Sequence, residues 1–194
     1  MAANLSLAWN DPFWDIQGEY LDIEENFNPE VGFVPRTGIR KSRGRVSLRP
    51  RPGERIPSIR QFQPSVEINY ITDQENLLQT RTLDSAISVQ FENNSNFRVG
   101  HTANFERLDE PFEIRDNQEI PIGDYPFNEF ELSFNGDRSR MISARTALGW
   151  GDFFDGEKNS YEFALRFQPS HQFNTEVSWE HDDVTLPSGD FTTD

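Results

Sequence analysis

The sequence predicts an all-β chain: an antiparallel meander of about ten long amphipathic strands, forming a partial or complete outer-membrane-type β-barrel. Three observations predict it. Apolar and polar residues alternate with period two through most of the 194 residues. Several alternating runs exceed the roughly five to six residues of an ordinary strand and approach the ~9 to 11 that cross a membrane obliquely. The connections sort into tight turns and longer links, as in a barrel with short turns at one end and larger loops at the other. Bulk values hide this pattern, because a net charge of -15 and 35% hydrophobic content read as a soluble acidic protein. A strand with one face in lipid and the other toward water averages to similar values.

The alternation starts with Ala3, Leu5, Leu7 and Trp9 set against Asn4 and Ser6, followed by the turn Asn10-Asp11-Pro12. Trp14, Ile16, Gly18 and Tyr20 continue it, and the phase then slips at Leu21 and Ile23, which suggests a bulge or a strand end. Two strands are expected between residues 36 and 72, the second showing Val66, Ile68 and Tyr70 against Glu67 and Asn69. Pro50, Pro52, Pro57 and Pro64 belong there at edges, bulges or turns, since proline donates no ladder hydrogen bond.

Three hairpins follow. Leu83, Ser85, Ile87, Val89 and Phe91 turn through Asn93-Asn94-Ser95-Asn96 into Phe97, Val99, His101, Ala103 and Phe105. Phe130, Leu132 and Phe134 turn through Asn135-Gly136-Asp137 into Ile142, Ala144, Thr146, Leu148 and Trp150. Tyr161, Phe163, Leu165 and Phe167 pass Pro169-Ser170 into Phe173, Thr175, Val177 and Trp179. Residues 26–38, 109–124 and 151–159 are expected as the longer links, and 51–57 is longer than a turn on the short side should be.

Several classes are excluded. No apolar run reaches the roughly 18 to 20 residues of a membrane-spanning helix. The chain has no cysteine, so disulfide and thiolate chemistry are absent. The acidic balance argues against nucleic acid as a partner. Met1 to Ser6 shows no basic segment and no apolar export core, so the expectation is one domain over 1–194 that is a fragment of a longer barrel.

Basic residues crowd one region: Arg36, Arg40, Lys41, Arg43, Arg45, Arg49, Arg51, Arg55 and Arg60. Lys41, Arg43, Arg45, Arg49 and Arg51 share the parity opposite to Val46 and Leu48, so they form one polar ladder expected to line a lumen and attract anions. The rival reading is a solvated or salt-bridged face. Trp9, Trp14, Trp150, Phe153, Phe154 and Trp179 lie near strand ends or loops and are expected as interface aromatics of a membrane girdle, with a carbohydrate-stacking platform as rival.

Nothing in the motifs points to an enzyme. The carboxylates of Asp109-Glu110-Pro111-Phe112-Glu113-Ile114-Arg115-Asp116 invite comparison with paired glycosidase acids, whose separation the sequence does not fix. Asp152, Asp155 and Glu157 around Gly156 offer oxygen ligands without the spacing of an EF-hand loop. His101, His171 and His181 have no ligand spacing, and no nucleophile elbow, P-loop or dinucleotide fingerprint is present. No cofactor or metal is expected.

Four motifs carry a resemblance: Asn26-Phe27-Asn28-Pro29-Glu30-Val31-Gly32-Phe33-Val34-Pro35-Arg36, Glu106-Arg107-Leu108-Asp109-Glu110-Pro111-Phe112, Gly149-Trp150-Gly151-Asp152-Phe153-Phe154-Asp155-Gly156 and Leu186-Pro187-Ser188-Gly189-Asp190-Phe191. Together, and in this order, they resemble the uncharacterised outer-membrane β-barrel-like domain that follows a family 9 carbohydrate-binding-like domain in Gram-negative surface proteins. The resemblance implies an outer-membrane location, lipid as surroundings, and a missing remainder of the barrel together with an N-terminal carbohydrate-binding-like domain as partners. It implies no catalytic residues. The function expected is a pore, anchor or surface scaffold; the alternative is a soluble β-sandwich or open-sheet module that binds carbohydrate or another ligand.

Overall fold

The alternating runs are strands in a computed structural model that describes residues 1–27, 37–115 and 118–193. In chain order they are β1 (Ala2–Asn10), β2 (Trp14–Ile23), β3 (Ile39–Leu48), β4 (Ile59–Asp73), β5 (Leu78–Phe91), β6 (Asn96–Leu108), β7 (Phe112–Arg115), β8 (Gln118–Ile120), β9 (Gly123–Asn135), β10 (Ile142–Phe153), β11 (Gly156–Ser170), β12 (Phe173–Leu186) and β13 (Gly189–Thr193). One 11-stranded antiparallel sheet runs in the order β1-β2-β3-β4-β5-β6-β9-β10-β11-β12-β13, and β7 and β8 pair apart from it. The chain is all-β, and its meander is open. β1 and β13 run in the same direction, so pairing them directly would be parallel.

Register carries one face across the whole sheet. Trp9 lies opposite Ile16, Ile16 opposite Val46 and Val46 opposite Val66; the same row continues through Ser85, His101, Phe130 and Trp150. A neighbouring row joins Ile87, Val99, Leu132, Leu148 and Tyr161. Side chains directly opposite in an antiparallel pair point to the same side, so these rows form one continuous apolar face.

The apolar face is the exposed one. Along β11, Tyr161, Phe163, Leu165 and Phe167 are exposed while Ser160, Glu162, Ala164 and Arg166 are buried or half-buried. Along β4, Val66, Ile68 and Tyr70 are exposed while Glu67, Asn69 and Ile71 are not. On the polar side Ser47 is 0% exposed and Asp15 7%. A single-layer sheet shields the face toward which it curls, so the sheet curls toward its polar face and presents its apolar one outward. No second layer covers the apolar face among the described residues.

Apolar burial is instead concentrated on the inner face, at the end of the sheet where β6 leaves for β7. There Phe127, Val184 and Leu186 point inward and are buried, and Ile120 of the β7-β8 hairpin is 1% exposed. Phe112 stacks on Phe154 at 6.5 Å, the Arg115 guanidinium lies over the Phe191 ring at 5.6 Å and its Nη1 donates to the Thr192 carbonyl at 3.4 Å. The hairpin is thus folded onto the inner face of the strands from β9 to β13.

This explains the slip at Leu21 and Ile23. β2 continues to Ile23 in unbroken register with β1 and β3, with no bulge. Leu21 and Ile23 keep the inward parity and lie opposite Lys41 and Ile39; the residue types change because the inner face becomes apolar at this end.

The connections differ from expectation in several places, among them the third hairpin, where Pro169-Ser170 end β11 and His171-Gln172 make the turn. Residues 151–159 are not a long link, because β10 and β11 pair up to Phe153 and Gly156 and turn through Phe154-Asp155, with Phe154 at φ 53. The 109–124 segment holds the β7-β8 hairpin, and the tight turns at Gln74 to Leu77 and Pro187-Ser188 lie at the same end as it, so short and long connections are not cleanly sorted. Pro64 sits inside β4, opposite Ile87, but β3 pairs only as far as Ser65, so on that side the missing N–H interrupts no ladder.

Candidate functional site

The basic ladder begins on β3, where Lys41, Arg43 and Arg45 point to the inner face opposite Ile71, Asn69 and Glu67. Arg43 reaches Glu67 with Nη2 at 2.6 Å and so takes the carboxylate that lies opposite Arg45. Lys41 and Arg45 have no acidic partner among the described residues. Arg49 and Arg51 lie beyond the end of β3 at Leu48, contrary to a ladder running through all five. Arg49 Nη2 meets Asp15 Oδ2 at 2.7 Å and its Nη1 donates to Asn10 Oδ1 at 2.9 Å, while Arg51 Nε donates to Gln61 Oε1 at 3.1 Å. Arg98 holds Asp84 at 2.9 Å across β5 and β6. Of the five ladder residues, Arg43 and Arg49 are matched by acids from neighbouring strands, whereas Lys41, Arg45 and Arg51 meet no carboxylate among the described residues.

The opposite imbalance lies on the inner face of β9 to β12. A cavity of about 310 Å³ is lined there by Glu129, Glu131, Glu162, Glu180 and Asp182. Arg145 pairs with Glu162 at 2.6 Å, Lys158 with Asp182 at 3.5 Å, and Asn104 Nδ2 donates to Glu129 at 2.7 Å. Glu131 and Glu180 meet no cation among the described residues. Alternation places Glu129, Glu131, Glu162 and Glu180 on the polar face but does not collect them or reach Asp182, because their convergence depends on the register of four strands. What the inner face offers is a polar wall with fixed charges of both signs and an excess of carboxylate on one half.

The aromatic residues separate into two groups. Trp9, Trp14, Trp150 and Trp179 stand on the apolar face and are exposed. Trp150 stacks on Phe130 at 5.9 Å, which packs against His101 at 4.8 Å, and Trp179 stacks on His181 at 5.7 Å. Two of the three histidines thus sit among outward aromatics. Phe153 and Phe154 belong elsewhere: they pack on Phe127 at 6.3 and 5.4 Å beneath the β7-β8 hairpin, in the inner apolar cluster.

The acidic segments do not assemble a centre. Glu113 lies opposite Glu119 in the hairpin, Asp109 and Glu110 are exposed, and Asp116 falls outside the described residues. Asp152 Oδ2 accepts the Asn128 N–H at 3.2 Å, and among the described residues no three His, Asp or Glu side chains are placed to hold a metal ion. Arg36 and most of the motif from Asn26 to Arg36 also lie outside the described residues.

In the turn between β1 and β2, Asp11 accepts the backbone N–H of Trp14 at 2.7 Å and of Phe13 at 2.8 Å, and the Trp9 indole N–H at 3.1 Å. These donors, Trp14 first, hold its carboxyl below the usual aspartate range. Comparison with family models, with curated proteins and with solved structures returns no match.

Proposed function

We propose that this chain is part of the wall of an outer-membrane β-barrel, with its apolar face in lipid and its polar face toward an aqueous lumen, serving as pore, anchor or surface scaffold. The observation that carries the reading is the inversion of burial: Val66, Leu148, Phe163 and Trp179 are exposed with no layer over them among the described residues, whereas Ser47, Asp15 and Gln61 are enclosed. In water such a face costs about 25 cal/mol for each Å² left exposed. In a bilayer it costs nothing, and strands of 12 to 15 residues, such as β10 and β4, have length enough to cross the hydrocarbon obliquely.

A soluble sandwich would turn the same face inward onto a second sheet. Support for an attached sugar-binding domain is confined to the four family-like motifs, and that link is part of the proposal. The reading is tested by mixing the chain with phosphatidylcholine vesicles and washing with alkaline carbonate. Retention of strand-rich protein in the membrane is expected; a monodisperse monomer that stays in buffer without detergent would overturn it.

A further inference from the structure

On the outer face, near the end that carries the hairpin, Arg81 sits in the last row of the apolar band, with Arg40 and Arg107 one row beyond it. Arg40 reaches Asp22 at 3.6 Å and Asn76 Oδ1 at 2.7 Å, and Arg107 holds both oxygens of Asp124 at 2.7 Å. Arg81 has no acidic partner among the described residues. In register it lies between Tyr70 and Phe105, whose rings flank it on the same face.

Along β5 the same face continues through Leu83 to Ser85 and Ile87. Ser85 is the smallest side chain in the row formed by Ile16, Val46, Val66, His101, Phe130 and Trp150, and the gap it leaves opens a groove. The groove has a volume of about 540 Å³ and is walled by Val46, Val66, Ile87, Val99 and Phe130. From Arg81 to Ser85 is four residues of strand, about 13 Å, which a single acyl chain spans.

We propose that this strip docks an anionic lipid, its phosphate on the Arg81 guanidinium and one acyl chain laid along Leu83 into the groove at Ser85. The inference rests on the membrane-wall reading and names the lipid chemistry that the wall selects. Charge and shape argue together for this occupant. A soluble anion would have no use for the groove, and a neutral apolar ligand none for an uncompensated arginine at its head. Arginine near the membrane boundary keeps its head at the phosphate level while its stem stays among apolar groups.

The test is native mass spectrometry of the full chain released from micelles containing equal amounts of dioleoyl phosphatidylglycerol and dioleoyl phosphatidylcholine. Phosphatidylglycerol is expected to be retained about fivefold over phosphatidylcholine, the preference one basic residue gives near an anionic surface. Arg81→Gln should equalise the two lipids, Arg81→Lys should keep the preference, and Ser85→Phe should lower retention of both. Equal retention by the unaltered chain, or an unchanged preference in Arg81→Gln, overturns the proposal. Displacement of the lipid by matched inorganic phosphate overturns the acyl-chain half of it. Carbonate-resistant insertion of Arg81→Gln into phosphatidylcholine vesicles is expected to match the unaltered chain; failure of both to insert removes the membrane reading itself.

Discussion

Asp15 Oδ2 and Arg49 Nη2 stand 2.7 Å apart, and the Asp15 side chain is only 10% exposed. Asp15 is on β2 and Arg49 follows the last residue of β3, so the pair closes the turn end of the two strands together with the Arg49 N–H donated to the Phe13 carbonyl at 2.8 Å. Removing the guanidinium leaves an enclosed carboxylate. Arg49→Met is expected to cost about 2 kcal/mol, the value of a charge-assisted hydrogen bond with Arg49 itself partly in solvent. Adding Asp15→Asn should recover part of the loss. Denaturant unfolding in micelles, followed by tryptophan fluorescence, measures both; equal stability of the single variant and the unaltered chain would show that the pair contributes nothing.

The inner apolar cluster holds the β7-β8 hairpin on the inner face of the sheet. Ile120 is nearly inaccessible, and Ile120→Ala removes its contacts without altering any strand of the main sheet. A cost of about 3 kcal/mol is expected, as for truncation of a buried aliphatic side chain. Amide exchange should accelerate selectively in residues 112–115 and 118–120. Unchanged exchange there would show that the hairpin does not depend on this packing.

The main sheet was legible because period-two alternation survives wherever one face is uniformly apolar, and Leu83 to Phe105 or Phe130 to Trp150 shows it without interruption. It failed where the inner face itself turns apolar. Leu21 and Ile23 then read as a slip, and the Gly151 to Asn159 stretch read as a loop, although Trp150 and Asn159 are opposite one another in a continuous ladder. The short β7 and β8 carry too few residues to establish a period. Parity assigned Glu129, Glu131, Glu162 and Glu180 to the polar side, but only register across β9 to β12 brings them to one cavity.

Two glycines at the hairpin end permit this close packing. A Cβ on Gly156 would lie 2.0 Å from the Thr185 carbonyl oxygen, and one on Gly151, at φ +152, 2.2 Å from that of Asn128. The obstructing atoms are backbone, so the strands themselves must move. Gly156→Val is expected to destabilise by about 2 kcal/mol or more and to loosen β11 from β12 at this end. Amide exchange at Lys158 and Val184 provides the readout, and native protection there would contradict the contact.

Acid should loosen the turn at Asp11 only once pH falls below the usual aspartate range. The folded-state pKa of Asp11 lies below its ordinary value, with the Trp14 N–H as the first cause. The resulting stabilisation is complete above the unfolded-state value of about 3.9 and is lost as pH falls through the lower folded value. The Trp9 indole N–H resonance should shift with that titration, and Asp11→Asn should abolish the pH dependence. A resonance that does not move down to strongly acidic pH would show that the carboxylate does not hold the indole.

Adjacent residues on β10 separate the membrane wall from a soluble sheet. Leu148 faces outward and is exposed, whereas Ala147 faces inward, opposite Glu162 and beside the acidic cavity. An arginine on a lipid-facing strand position near the bilayer midplane costs about 2 to 4 kcal/mol, while a lumen-facing one is hydrated and here would meet a carboxylate. Leu148→Arg is therefore expected to suppress carbonate-resistant insertion, and Ala147→Arg to leave it intact. In a water-exposed sheet the order reverses, because Leu148→Arg would relieve an exposed apolar side chain and improve solubility, and Ala147→Arg would crowd the shielded face. Insertion yields of the two variants, compared side by side in phosphatidylcholine vesicles, distinguish the two orders directly.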